Sequence, residues 1–224
     1  MLGAEVYPVP AVAYDNPLNY NHQARDFAKN EANAFWTNQF DNTVNADFHY
    51  ATTGPEIWEQ TQGKIDGFIC STGTGGTLAG VGKYLKEKST GKTQIWLADP
   101  PGSVLTSYVS SGGTLVERTG SSITEGVSFI LSTRHSSSLL LGIGQGRITD
   151  NLATFVKELS GAFTVSDSKS IAMLYELLDT EGLYVGASTA LNVVAAVELA
   201  EKLGKGKETF RIRPNLPTND HHSH

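Results

Sequence analysis

The centre of the chain combines short apolar runs with a stretch of helical spacing. Ile65–Cys70 predicts a buried β-strand and Gln94–Ala98 predicts another. Between them, Leu78–Lys88 places its apolar residues on one face, which predicts an amphipathic helix. A glycine-rich turn, Gly73–Gly76, separates the first strand from this helix. Strand, turn, helix and strand in this order predict a βαβ unit and therefore a parallel sheet.

A second pattern of this kind lies nearer the carboxyl end. Ala162–Val165 predicts a strand and Lys169–Asp179 a helix. The short apolar run Leu183–Val185 follows, and Ser188–Leu203 predicts a helix that ends at Gly204. The predicted fold class is therefore α/β, with a twisted parallel sheet and helices on both of its faces.

The amino-terminal part of the chain gives weaker signals. Ala4–Val9 is rich in β-branched and aromatic residues and predicts a strand, and Tyr20–Ala34 has helical spacing. The polar stretch Trp36–Asn45 predicts a loop. The sequence from Thr52 to Gly63 predicts a helix, since it opens with hydroxyl residues, a proline and an acid.

Composition narrows the classes of function. The net charge is −6 and the pI about 5.5, which argues against a broad nucleic-acid-binding face. No run of 18 apolar residues is present, so no membrane-spanning helix is expected. The opening residues resemble neither a signal peptide nor a transit peptide. The single cysteine, Cys70, lies in an apolar run and predicts a buried thiol in an intracellular, reducing compartment.

The glycine-rich segment Ser71–Thr77 is the main candidate binding site. It lies between a predicted strand and a predicted helix, where unpaired amides meet the positive end of the helix dipole. This arrangement predicts a phosphate site, and the alternative is a tight turn without a ligand. A dinucleotide site is another alternative, because two glycines of its fingerprint are present and Asp99 ends the next strand, although Leu78 occupies the third glycine position.

Several further segments, in order along the chain, give the sequence a family resemblance. The glycine segment together with these motifs resembles the cysteine synthase branch of the fold-type II enzymes that depend on pyridoxal 5′-phosphate (PLP). The motifs are Asp15-Asn16-Pro17, Asn38-Gln39-Phe40, Thr53–Trp58, Ala98-Asp99-Pro100, Thr124-Glu125-Gly126, and Glu181-Gly182 with Gly186-Ala187-Ser188.

The resemblance implies a function and roles for particular residues. It implies β-replacement on O-acetylserine by sulfide to give L-cysteine, in a homodimer that is cytoplasmic or mitochondrial. Ser188 is expected at the pyridine nitrogen, Gln39 near the substrate carboxylate, and the loop Gly142–Gly144 facing the cofactor. The PLP phosphate is expected to contact Gly73, Thr74, Gly75, Gly76 and Thr77.

Ser188 also has a purely structural interpretation, as the N-cap of the helix that it opens. Both roles are compatible. A neutral hydroxyl at the pyridine nitrogen makes the ring a shallower electron sink than a carboxylate does, which favours loss of a β-substituent over transamination.

The resemblance also implies a division into domains. Residues 1–41 are expected to be the remainder of a smaller domain, residues 42–210 the larger PLP-binding domain, and residues 211–224 a disordered tail. Val127–Leu141 has neither helical nor strand periodicity and interrupts the match, so it is either a surface loop or translated intron.

The sequence lacks a match to the lysine that binds PLP in this family. The family's lysine lies upstream of the segment that matches Leu2, and none of the eleven lysines here has its sequence context. We therefore expect the 224-residue polypeptide alone to be inactive. The alternatives are a non-catalytic protein that binds PLP or phosphate, and a nucleotide-dependent oxidoreductase.

Overall fold

A four-stranded parallel sheet forms the centre of the fold. The computed structural model describes residues 3–9, 12, 14–115 and 143–211. Within these ranges the strands are β1 Gly67–Ser71, β2 Gln94–Asp99, β3 Gly161–Thr164 and β4 Thr209–Arg211. Their order in the sheet is β3-β2-β1-β4, and every neighbouring pair is parallel. The predicted parallel α/β sheet is confirmed.

Helices connect these strands and cover the sheet. Among the described residues, three helices precede β1, two lie between β1 and residue 116, and the others flank β3. They are α1 Tyr20–Asn30, α2 Val44–Ala51, α3 Thr53–Gln60, α4 Gly76–Lys88, α5 Leu105–Ser110, α6 Asp150–Ala153, α7 Asp167–Glu181 and α8 Ala187–Leu203, with a short 3₁₀ turn at Val156–Glu158.

Alternation along β1 sends side chains into two separate cores. Phe68 and Cys70 pack in the core on the α4 side of the sheet, and Ile69 packs in the core on the α8 side. All three are buried because successive side chains of a strand point to opposite faces. The predicted helices on both faces of the sheet are therefore confirmed.

Two apolar runs with strand-like residues do not form strands in the structure. Residues 4–9 have no regular secondary structure, and Val6 and Tyr7 are 79% and 64% exposed. The strand prediction there is wrong, because a β-branched run needs a neighbouring strand to pair with and none lies beside it among the described residues. Leu183–Val185 likewise connects α7 to α8 without strand structure.

The region before β1 is more helical than predicted. Helix α2 begins at Val44, inside the stretch predicted as a loop, and only Thr52 separates it from α3. Thr52 is the N-cap residue of α3, but its hydroxyl donates back to the carbonyl of Phe48 at 2.9 Å and makes no capping hydrogen bond to the helix. Helix α3 ends at Gln60, three residues before Gly63.

At the carboxyl end, strand β4 reaches the first residue of the predicted tail. The rest of that tail and the segment 127–141 lie outside the described residues. The division into domains at residue 41 stays a prediction. No helix in the described ranges has the length and apolar character needed to cross a membrane.

Candidate functional site

Residues 72–77 join the carboxyl end of β1 to helix α4 and form the predicted phosphate loop. Gly75 is the N-cap, with a φ of 84°, and the helix begins at Gly76. The first helical hydrogen bond runs from the Ala79 amide to the Gly75 carbonyl at 2.9 Å. The amides of residues 76, 77 and 78 precede this bond, and they lie at the positive end of the helix dipole. This end of α4 is therefore suited to an anion.

Packing requires glycine at positions 75 and 76 of this loop. A Cβ atom at Gly75 would lie 2.6 Å from the Cβ of Leu152, and one at Gly76 would overlap the side chain of Asn45. Only glycine tolerates both the positive φ at position 75 and these close approaches. The glycines alone therefore do not identify a ligand, and the backbone amides at the start of α4 carry that inference.

Thr74 is held on both its backbone and its side chain. Its carbonyl accepts a hydrogen bond from the Thr149 hydroxyl at 2.6 Å. Its side-chain oxygen accepts from the Asn45 amide at 3.1 Å and from the Gly76 amide at 3.3 Å. Because that oxygen serves as an acceptor in both bonds, its own proton is available to a ligand oxygen.

Thr77 is linked to a half-buried histidine. The side-chain oxygen of Thr77 lies 3.0 Å from Nε2 of His49, and Nδ1 of His49 lies 2.8 Å from the Thr53 hydroxyl. Burial lowers the pKa of His49 below its ordinary value, so the ring is neutral at neutral pH. A neutral imidazole has one donor and one acceptor nitrogen, and each contacts one threonine hydroxyl.

Ser188 lies in the first turn of α8 and does not cap it. The N-cap is Gly186, whose backbone is extended, so the predicted capping role of Ser188 is wrong. The Ser188 carbonyl accepts a hydrogen bond from the Asn192 amide at 2.8 Å, and the same amide donates to the Ser71 hydroxyl at 2.8 Å. Asn192 thus brings the Ser188 turn to the strand end that leads into the phosphate loop.

Gln39 lies in a turn whose backbone is fixed to the same loop. Its side chain is exposed, and its carbonyl accepts from the side-chain amides of Asn45 at 2.9 Å and Asn151 at 3.0 Å. Asn45 is also the donor to Thr74, so one amide joins the Gln39 turn to the phosphate loop. The role of Gln39 at a substrate carboxylate stays a prediction.

An ion pair fixes the position of this turn. Both terminal nitrogens of Arg147 donate to the carboxylate of Asp41 at 2.8 Å, and the Asp150 amide adds a bond at 3.0 Å. Burial alone would raise the pKa of Asp41, but the hydrogen bonds from Arg147 and Asp150 outweigh it and hold that pKa below its ordinary value. A bidentate pair of this kind restricts orientation as well as distance.

Asp99, the candidate ribose-binding acid, is used inside the protein. Its side chain is 0% exposed, and Oδ2 accepts from the amide of Thr106 at 2.9 Å and from the Thr106 hydroxyl at 3.0 Å. A carboxylate that is fully buried and bonded to α5 is not accessible to a ribose hydroxyl. This observation argues against the dinucleotide alternative.

Cys70 is inert in the folded protein, as predicted from its apolar surroundings. The thiol is buried, and burial raises its pKa to about 12. A nucleophilic cysteine needs the opposite shift, because the thiolate is the reactive form.

Sequence reasoning missed the polar residues that hold the site together. They are Asn45, His49, Thr149, Asn151 and Asn192. Only Asn192 carries a sequence signal, as an amide in the middle of an apolar helix. The others contact residues that are distant in sequence, and no local pattern marks them.

Comparison with known proteins assigns this arrangement to a family. The family model described as "Pyridoxal-phosphate dependent enzyme" matches residues 1–211. The chain belongs to this family of pyridoxal-phosphate dependent enzymes. Its members depend on PLP, and the described sheet and helices are those of the fold-type II class.

Two relatives with high sequence identity are cysteine synthases from fungi. The chain is 62% identical over 212 residues to cysteine synthase 1 of Emericella nidulans, covering 95% of this chain and 53% of that protein. It is also 62% identical over 206 residues to cysteine synthase 1 of Neurospora crassa, covering 92% and 50%. The chain therefore spans about half the length of the curated relatives it matches.

A solved structure of a related enzyme superposes on this chain. An O-acetylserine dependent cystathionine β-synthase from Helicobacter pylori superposes with a TM-score of 0.66 and is 26% identical. The match covers 84% of this chain and 52% of that chain.

The residues of this pyridoxal-phosphate dependent family member fit the phosphate end of the cofactor. Besides the amides at the start of α4, the Thr72 hydroxyl at the entry to the loop is buried and makes no hydrogen bond within the described residues. A buried hydroxyl without a partner is costly, and a phosphate monoester supplies the acceptor that it lacks. Ile143 and Gly144 adjoin this entry, since the Gly144 amide donates to the Thr72 carbonyl at 2.9 Å, whereas Gly142 lies outside the described residues.

Proposed function

We propose that this chain is the PLP-binding part of a cysteine synthase, which replaces the acetoxy group of O-acetylserine with sulfide, releasing acetate and giving L-cysteine. The observation that carries this proposal is the loop 72–77 at the head of α4, tied through Asn192 to Ser188. A phosphate cradle and a neutral hydroxyl at one edge of a parallel sheet match the two ends of a phosphorylated pyridine. The cysteine synthase relatives support the same reaction.

Each end of the cofactor has a set of residues that suits it. The amides of residues 76–78 and the hydroxyls of Thr72, Thr74 and Thr77 would hold the phosphate, with Gly73 and Gly75 giving close access. Ser188 would share a hydrogen bond with the pyridine nitrogen. When bound, PLP withdraws electrons from the substrate α-carbon. A neutral partner at the ring nitrogen limits that withdrawal and so favours loss of the β-substituent.

The Gln39 turn is suited to the substrate end of the site. The side chain of Gln39 is exposed while its backbone is fixed by Asn45 and Asn151. An amide held in this way donates to a carboxylate without adding charge, and a fixed backbone reduces the entropy that binding must overcome. We propose that Gln39 contacts the carboxylate of O-acetylserine.

The binding test uses the 224-residue polypeptide, PLP and NAD. We expect PLP to bind with a change in its visible absorbance and NAD not to bind. Gly76→Asp should abolish PLP binding, because its side chain overlaps Asn45 and its charge repels the phosphate. Thr74→Val is the milder variant if Gly76→Asp fails to fold. Binding of NAD without PLP would support the oxidoreductase alternative, and binding of neither would contradict the proposal.

Turnover separates a catalytic protein from one that only binds the cofactor. None of the eleven lysines matches the family context, so we expect the 224-residue polypeptide alone to bind PLP without forming cysteine from O-acetylserine and sulfide. Cysteine formation by this polypeptide would overturn that expectation. Cysteine formation after addition of a lysine-bearing segment from a relative would distinguish a cysteine synthase from a binding protein.

We also propose a location and an assembly. The single buried cysteine and the net charge of −6 support an intracellular protein without a nucleic-acid partner, in the cytoplasm or in mitochondria. The family resemblance supports a homodimer. Light scattering measures the assembly directly, and a monomer at micromolar concentration would contradict it.

A further inference from the structure

Asn192 is a buried amide in an otherwise apolar part of α8. It is 4% exposed, and its neighbours Leu191, Val194 and Ala195 pack in the core against β1 and β2. Asparagine is a poor helix former, and a buried amide costs free energy unless it is paired. Its presence in this helix therefore needs a structural reason.

The hydrogen bonds of Asn192 supply that reason. Its side-chain oxygen accepts from the Ser71 amide at 2.8 Å. Its side-chain nitrogen donates to the Ser71 hydroxyl and to the Ser188 carbonyl, both at 2.8 Å. Both donors are used, and the two residues of the Ser71–Asn192 contact are 121 positions apart. The amide therefore fixes the first turn of α8 to the end of β1.

Ser71 has no strand partner on the β4 side among the described residues, although it pairs with Ala98 of β2 on the other side. The described pairing of β4 with β1 reaches Ile69, which lies opposite Arg211. The Ser71 amide lies beyond that pairing and takes its acceptor from Asn192. The next residue, Thr72, opens the phosphate loop. Core packing holds α8 against the sheet, and the Asn192 side chain links the residue before this loop directly to the Ser188 turn.

We propose that Asn192 is a positioning residue for the cofactor: it sets the Ser188 hydroxyl at the distance from the phosphate loop that the pyridine ring requires. The proposal rests on the function proposed above. Asn192 touches Ser71 and Ser188 and acts through them. Its loss should therefore change how the ring end is bound and leave the phosphate end nearly unchanged.

The test compares two ligands that report on different parts of the site. One is 4-deoxypyridoxine 5′-phosphate, which has the ring and the phosphate but no aldehyde and so cannot react with lysines. The other is inorganic phosphate, followed by phosphorus NMR, which reports on the loop alone. Asn192→Ala should weaken binding of the pyridine ligand about tenfold, which corresponds to about 1.4 kcal/mol. Binding of inorganic phosphate should change less than about twofold.

A spectroscopic readout separates positioning from general loosening. A hydroxyl that donates to a neutral ring nitrogen lowers the pKa of that nitrogen, so bound ligand should titrate at lower pH than free ligand. In Asn192→Ala the fluorescence titration of bound ligand should move back toward that of free ligand. Ser71→Ala removes one of the three hydrogen bonds of the Asn192 side chain. It should shift the titration of bound ligand in the same direction, but by a smaller amount. It also serves as the test if Asn192→Ala fails to fold.

Ser170→Ala is the matched control. Ser170 is also fully buried in a helix and donates to the Ser166 carbonyl at 3.2 Å, but it lies in α7. The Ser170→Ala variant should be less stable than the wild type, and its titration of bound ligand should be unchanged. If Asn192→Ala and Ser71→Ala leave the titration unchanged, or if both ligands weaken equally in Asn192→Ala, the positioning role is wrong while the proposed function stands. If the wild-type chain binds neither ligand, the proposed function fails, and the positioning role fails with it.

Discussion

Thr149 gives the sharpest test of how the phosphate loop is held. It is 1% exposed, and its hydroxyl makes two bonds. It donates to the Thr74 carbonyl at 2.6 Å and accepts from the Leu152 amide at 3.2 Å as the N-cap of α6. Thr149→Val keeps the branched shape and removes only the hydroxyl. The variant therefore removes both hydrogen bonds while the side chain keeps its branched shape.

The magnitude follows from the groups left without partners. Loss of an N-cap costs about 1 kcal/mol. An unpaired, partly buried carbonyl at Thr74 costs up to a further ~1–3 kcal/mol. We therefore expect Thr149→Val to lower the free energy of unfolding by about 3 kcal/mol, which is a fall in Tm of roughly 6–12 °C for a chain of this size.

Urea unfolding followed by tryptophan fluorescence measures this loss. The midpoint should fall while the slope stays constant. Thr154→Val is the matched control, because its exposed hydroxyl donates to the Asn151 carbonyl at 2.7 Å and makes no contact with the loop. It should cost less than about 1 kcal/mol. If the two valine variants lose the same stability, the bond from Thr149 to Thr74 contributes little and the reasoning is wrong.

Three further predictions concern single residues of the same region. Gly75→Ala should lower the free energy of unfolding by more than about 2 kcal/mol in thermal melts, because it adds a Cβ atom 2.6 Å from Leu152 at a positive φ. The Cys70 thiol, with its pKa raised to about 12 by burial, should resist a thiol reagent at pH 8 until urea unfolds the chain. His49 has a pKa that burial lowers below 6.5, so the unfolded chain binds a proton that the folded chain does not. The stability it contributes is complete above pH 6.5 and is lost as the pH falls through the folded pKa; His49→Gln should flatten that part of the stability–pH curve.

The sequence predicted the central βαβ unit because both periodicities are strong there. The predicted strand and helix ends lie within two residues of those in the structure. Helix α4 begins at Gly76, two residues before the predicted Leu78, because glycines carry no apolar signal even when their backbone is helical. The loop itself was therefore recognisable, whereas its first helical turn was not.

Strand β4 was missed for a different physical reason. Thr209–Arg211 is short and mostly polar, and it is a strand only because its backbone pairs with β1 from Gly67 to Ile69. Ala4–Val9 shows the converse, since it has strand-like residues and no neighbouring strand in the described residues. Strand formation depends on pairing, and a single sequence reports side-chain preferences rather than partners.

The sequence identified the two groups of candidate ligand-binding residues but not the residues that connect them. Ser188 and the loop Gly73–Thr77 carry recognisable local patterns, and the structure places them at the end of β1, linked through Asn192. The residues that join them contact partners about 30 to 120 positions away, such as Asn45 with Thr74. Such contacts arise only in the folded chain, so no local pattern could have revealed them.

The chemistry of these joining residues suits a site that receives a phosphate. Asn45, Asn151 and Asn192 each use a neutral side-chain amide to hold backbone or hydroxyl groups around the loop. A carboxylate in the same positions would repel the incoming anion, and an ammonium group would compete with the loop amides for it. Neutral amides satisfy donors and acceptors at once and leave the helix dipole as the main attraction. The side chains that bond directly to the loop and to the turns beside it are therefore neutral amides, and Asn→Asp at any of the three should weaken phosphate binding more than its effect on folding alone explains.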